Sequence, residues 1–92
     1  MTDIDAILKE RGGRYGSFGH VADTYRSLMH SYEIGMRRGN QGLSRPADAD
    51  VAVHMILMKI ARIACGNPNH LDNWDDIQGY AKLVADRLRG QK

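Results

Sequence analysis

Val51-Ala52-Val53-His54-Met55-Ile56-Leu57-Met58-Lys59-Ile60-Ala61-Arg62-Ile63-Ala64-Cys65 carries twelve apolar side chains in fifteen positions. No alternating pattern marks it as a strand, and three polar residues are too few for a solvated helix face. A helix apolar almost all round lies at the centre of a fold or in an interface. Ser44 is its expected N-cap, Pro46 is tolerated in a first turn, and Asp48 and Asp50 suit the positive end of the dipole. Gly66-Asn67-Pro68 ends it.

Three further helices flank this one. Ile4, Ile7 and Leu8 give a short N-terminal helix one apolar face, with Thr2 as cap and Gly12-Gly13 as its expected end near Arg11. A glycine-spaced loop, Arg14-Tyr15-Gly16-Ser17-Phe18-Gly19, is expected next. Val21, Tyr25, Leu28, Met29, Tyr32 and Met36 form a stripe from about His20 to Arg37, stopped by Gly39. After the last break, Asp72 as N-cap with Asp75 three residues on resembles a capping box, and Ile77, Ala81, Val84 and Leu88 make the final stripe. Gly79 inside that helix suggests close approach of another helix or a ligand. The expectation is all-α: one compact four-helix domain over residues 1–92, a short N-terminal helix plus three longer ones.

Composition narrows the function. At 92 residues the chain has room for one core but not for a core plus a deep enclosed cavity. Thirteen Lys+Arg against eleven Asp+Glu give +2, which argues against a nucleic-acid polymer as partner. The single cysteine, Cys65, excludes an intramolecular disulfide, and the four histidines are scattered. Cys65 reads as a small hydrophobe, and His54 as a partly buried histidine rather than a base. No apolar run is long enough to span a bilayer and the N-terminus has no signal-peptide pattern, so no membrane partner and a cytoplasmic location are expected.

Three constellations carry chemistry. Asp72, Asp75 and Asp76 cluster at a helix start; they either hold Mg²⁺ or reflect the ordinary preference of acids for that position. His54, Lys59 and Arg62 share an arc of about 140° on the apolar helix. Lys59 and Arg62 either clamp a phosphate, or face solvent, or pair with Asp72, Asp75 or Asp76. Arg14, Tyr15 and Phe18 offer a cation and ring faces to a base, or else the rings plug the core.

Glu10-Arg11-Gly12-Gly13-Arg14-Tyr15-Gly16-Ser17-Phe18 and Lys59-Ile60-Ala61-Arg62-Ile63, followed by Gly66-Asn67-Pro68-Asn69-His70, Asp72, Trp74, Asp76-Ile77 and Gly79-Tyr80-Ala81, resemble a small family of phage and prophage proteins of unassigned function. More distantly, Asp72-x-x-Asp75 running into Gly79-Tyr80 is similar to the second half of the MazG-like all-α nucleotide pyrophosphohydrolase pattern. That family holds Mg²⁺ with carboxylate pairs on two helices. Here the first pair is missing, since the second helix offers only Asp23 and Glu33, ten residues apart.

The resemblance implies a helical nucleotide-handling fold with its metal site absent or reduced. The expectation is a phage-type accessory protein in the host cytoplasm that binds a nucleotide-like small molecule without catalysis, for example sequestering a host defence messenger. Its ligand residues would be Arg14, Tyr15, Lys59, Arg62, His70, Trp74, Asp76 and Tyr80, with no cofactor. One alternative is a minimal Mg²⁺-dependent pyrophosphohydrolase using Asp72, Asp75 and Asp76. Another is an inhibitor docking on a host protein. The exposed apolar surface of the central helix favours a homo-oligomer.

Overall fold

A computed structural model describes residues 3–39 and 42–90. They form α1 (Asp3–Tyr15), α2 (Phe18–Gly39), α3 (Ala47–Cys65) and α4 (Leu71–Leu88), with no strand among the described residues. This is the all-α, four-helix architecture expected from the pattern. No helix is long and apolar enough to cross a membrane among the described residues.

The helix ends differ from the sequence reading for identifiable reasons. Gly12-Gly13 does not stop α1, which continues to Tyr15. The cost of interior glycine, about 1 kcal/mol each, is offset by tertiary anchoring of the helix end. The Arg14 carbonyl accepts the Asn67 N–H at 2.8 Å, and Gly16, at φ +87°, makes the turn instead. The expected six-residue loop thus shrinks to Gly16-Ser17. Ser17 caps α2, its Oγ accepting the His20 N–H at 3.2 Å, so the helix starts at Phe18. Phe18 is 87% exposed and does not plug the core. Thr2, expected to cap α1, lies outside the described residues.

Ser44 does not cap α3. Pro46 stands at that position without a side-chain bond, and Asp48 Oδ1 accepts the Ala49 N–H at 2.8 Å. The Asp72–Asp75 capping box is also not formed. His70 occupies the cap position of α4, so Asp72 lies inside the first turn rather than at the cap, and Asp75 lies beyond that turn.

α3 is the hub. It packs against α2, α4 and α1, whereas α2 and α4 do not pack against each other. Ala52 and Ala61 on α3 are nine residues apart, which places them about 180° apart around the helix. Both are buried, and their small side chains let flanking helices come close on opposite sides. Lys59, beside Ala52 on the wheel, reaches α4; Cys65, beside Ala61, meets α2, with Thr24 Oγ1 3.3 Å from its Sγ. His54 is exposed rather than partly buried. The result is a row of helices α2–α3–α4, with α1 attached at one end. The molecule measures 52 × 30 × 22 Å.

Two clasps fix the row. Arg45 lies over the Tyr32 ring at 5.7 Å and pairs with Asp50 at 2.9 Å, joining α2 to the start of α3. Arg87 of α4 pairs with Asp48 at that same start. The hydrogen bond from Arg87, reinforced by its charge, holds the Asp48 carboxyl below its ordinary range. This pair therefore supports the fold at neutral pH and loses its contribution as pH falls through that lowered value. Between neutral and acid pH, Asp48→Asn should show a slightly smaller fall in melting temperature than the parent chain; an identical fall would show that the pair contributes nothing.

Glycine substitution separates the crossing from the open face. A Cβ on Gly66 would lie 2.4 Å from the Tyr15 carbonyl carbon, and one on Gly16 would lie 2.4 Å from the Cys65 carbonyl oxygen. Gly66→Ala and Gly16→Ala should each cost about 1–3 kcal/mol in denaturant unfolding. Gly79 meets nothing within 4 Å, so Gly79→Ala should stabilise by up to about 1 kcal/mol. Equal effects at all three positions would contradict this packing.

Candidate functional site

The backbone crossing of α1 and the end of α3 brings four of the expected ligand residues together. Tyr15, the last residue of α1, presents its ring to Arg62 of α3, whose guanidinium carbon is 4.7 Å from the ring centroid. Arg14 lies 5.7 Å from the same centroid. His70, at the cap of α4, meets Tyr15 edge-on with centroids 5.3 Å apart, and its Nε2 is 3.5 Å from the Tyr15 hydroxyl. That Nε2 also lies 3.6 Å from Asp72. An arginine held near an aromatic face gains about 0.5–2 kcal/mol according to its desolvation.

The cations here differ in their partners. Arg14 pairs with Glu10 one turn back, yet its Nε is buried without an acceptor. Arg62 is half-buried and has no carboxylate partner among the described residues; its recorded partner is the Tyr15 ring. Lys59 is buried, and its Nζ pairs with Asp76 at 2.9 Å. Of the readings open for the arc, Lys59 takes pairing with an α4 carboxylate and Arg62 does not. The arc is not a common solvent face.

The other expected residues are dispersed. Trp74 is half exposed, and its indole N–H donates to the Pro68 carbonyl at 2.9 Å, bracing the turn before α4. Tyr80 lines an open concavity of about 500 Å³ on α4 with Asp75, Asp76, Gly79, Lys82, Leu83 and Asp86. Three carboxylates against one ammonium give it the wrong sign for a phosphate, so size does not make it the nucleotide site. Asp72, Asp75 and Asp76 do not converge: no three His, Cys, Asp or Glu side chains lie close enough to hold a metal ion among the described residues.

Sequence reasoning missed Asn73. It is 1% exposed, its backbone N–H donates to the His70 carbonyl at 3.2 Å, and its Nδ2 has no acceptor. The available signal was position: Asn73 precedes Ile77 by four residues and therefore shares the core-facing stripe of α4. The Arg45–Tyr32–Asp50 clasp was missed too, because a loop arginine gives no periodic signal.

Fold and site together define a small all-helical domain built around an arginine-flanked tyrosine at a helix crossing. The chain belongs to a family described as a domain of unknown function, DUF6378, whose model matches residues 4–88. It is also similar to the gene 55 protein of Mycobacterium phage D29, with 32% identity over 85 residues. That alignment takes in 87% of this chain and 52% of the phage protein, so the chain spans about half the length of the curated relative it matches. No solved structure matches the chain.

The Lys59–Asp76 pair makes a stability prediction. Lys59 is the buried member and Asp76 the half-exposed one. Asp76→Ala leaves a buried ammonium unpaired and should cost about 1–3 kcal/mol, between the values for exposed and buried pairs. Lys59→Met removes the charge while keeping apolar volume and should cost less. Thermal melts of the two variants check the order, and the reverse order would refute it.

Proposed function

We propose that this chain binds a nucleotide or nucleotide-derived small molecule at the Arg14–Tyr15–Arg62–His70 joint, and that it holds the molecule without catalysis. The observation that carries the reading is Arg62: a half-buried guanidinium, oriented on a tyrosine ring, with no carboxylate to neutralise it. Its planar fork suits a phosphate, and the fixed geometry lowers the entropy cost of binding one. The buried Arg14 Nε, lacking an acceptor, adds a donor whose desolvation a phosphate oxygen would compensate. Tyr15 and His70 supply rings beside the anion, and Phe18 and Trp74 are exposed rings three and four residues along the chain from them.

Lys59 drops out of the phosphate-holding set because Asp76 already neutralises it. On this reading the chain keeps a MazG-like helical, nucleotide-handling architecture in which the acidic residues serve structure. The likeness to a phage protein supports an accessory role in an infected cell's cytoplasm, and sequestering a host defence messenger needs tight binding and no turnover. The pyrophosphohydrolase and host-protein-inhibitor readings have no comparable observation behind them.

Mass spectrometry of small molecules released on denaturing the purified protein should identify a phosphate-bearing ligand. In calorimetric titration with that compound, Arg62→Ala should weaken binding about 10–100-fold, one to two steps of 1.4 kcal/mol. Arg62→Lys should weaken it too, since a point charge does not replace a fork. The ligand-free melting temperature should change little. Unchanged affinity with a large fall in that temperature would end the proposal. Mg²⁺-dependent turnover of a nucleoside triphosphate, lost in Asp76→Ala, would replace it with the enzyme reading.

A further inference from the structure

The geometry points to the outward face of α3 as the docking surface for a second copy of this chain, forming a two-fold symmetric dimer. α2 and α4 occupy opposite flanks of α3 and do not pack against each other, so the row is one helix thick. Stable domains have at least two packed layers, because each apolar face must be covered by another element. Val53, Leu57, Ile60 and Ala64 follow one another at spacings of four, three and four. This is the seven-residue repeat of a helix–helix seam. Around the helix they fall midway between the Ala52 and Ala61 flanks, on the side opposite Arg62. They are covered only in part: Val53 and Leu57 are half-buried, Ile60 is 38% exposed at the centre of the most apolar helix, and Ala64 is exposed.

Size favours a second copy as occupant. The chain exposes 6811 Å², whereas a folded monomer of 10.3 kDa exposes about 5,400 Å². Its radius of gyration is 15.7 Å, against about 12 Å for a compact domain of this length. The excess, about 1,400 Å² per chain, is shared with the exposed apolar residues of α1 and α4, and it leaves room for the roughly 800 Å² each partner buries in a standard interface. The four seam positions carry no charge that would select a different partner, and an uncharged heptad seam is complementary to itself about a two-fold axis. Packing two α3 seams would give each row its missing second layer.

Because the seam faces away from Arg62, its test does not depend on ligand binding. Sedimentation or light scattering of the full chain over a wide dilution series should give twice 10.3 kDa. Ile60→Glu should yield a monomer that keeps its helical circular dichroism. Phe18→Glu, a change at an exposed apolar residue outside the seam, should leave the dimer intact. Should Ile60→Glu fail to fold, Ile60→Ala should still raise the dissociation constant tenfold or more, about the effect of truncating a central interface residue. A 10.3 kDa species at every concentration would overturn the proposal and assign the face to another occupant. A dimer insensitive to both Ile60 variants, or one dissociated by Phe18→Glu, would also overturn it.

Discussion

Everything at the candidate site of this molecule depends on two backbones passing without side chains between them. Gly16 and Gly66 leave no room for a Cβ, and the Arg14 carbonyl takes the Asn67 N–H across the gap. That contact fixes where α1 ends and brings Arg14 and Tyr15 to Arg62 and His70. The pair of glycines is thus a distance constraint between two cations and a ring, imposed through the main chain. A side chain at either position would separate the elements that hold Arg14, Tyr15, Arg62 and His70 together.

Lys59 and Arg62 show how residue type and angular position divide labour on one helix. They are three residues apart and both basic, yet Lys59 turns toward α4 and is neutralised by Asp76, while Arg62 turns toward α1 and rests on a ring. An ammonium on a flexible stem reaches a carboxylate across a helix interface. A weakly hydrated guanidinium tolerates an aromatic face without losing its outward donors. The first arrangement ties two helices together; the second leaves a positive charge available.

The helices were legible because their apolar stripes are long and glycine and proline punctuate them. Val51 to Cys65 announced the hub, since a stretch with twelve apolar residues in fifteen has nowhere else to go. Ends were less legible: Gly12-Gly13, Ser44 and Asp72 each carry the local chemistry of a terminus, but α1 is held past its glycines by a crossing more than 50 residues away, and the caps of α3 and α4 fall two residues from the expected ones, at Pro46 and His70. At the site, Arg14, Tyr15, Arg62 and His70 were identified and do converge. The acidic cluster, Trp74 and Tyr80 were identified and do not, because residues shared along one helix face need not meet residues of another. Asn73 was hidden in a polar run, Asp72-Asn73-Trp74-Asp75-Asp76, where only its spacing to Ile77 marks it as core-facing.

The row arrangement also bears on how the chain acquires its shape. Within α2–α3–α4, each helix packs on its neighbour in sequence, so those contacts close only short loops and can form as each helix leaves the ribosome. The bond from Asn67 to Arg14 spans 53 residues and must wait for the end of α3. α1 has no buried residue of its own to hold it beforehand. The arginine–tyrosine joint is therefore the part of the fold with the longest loop to close and the least burial to hold it, and any molecule bound there would favour its closed form.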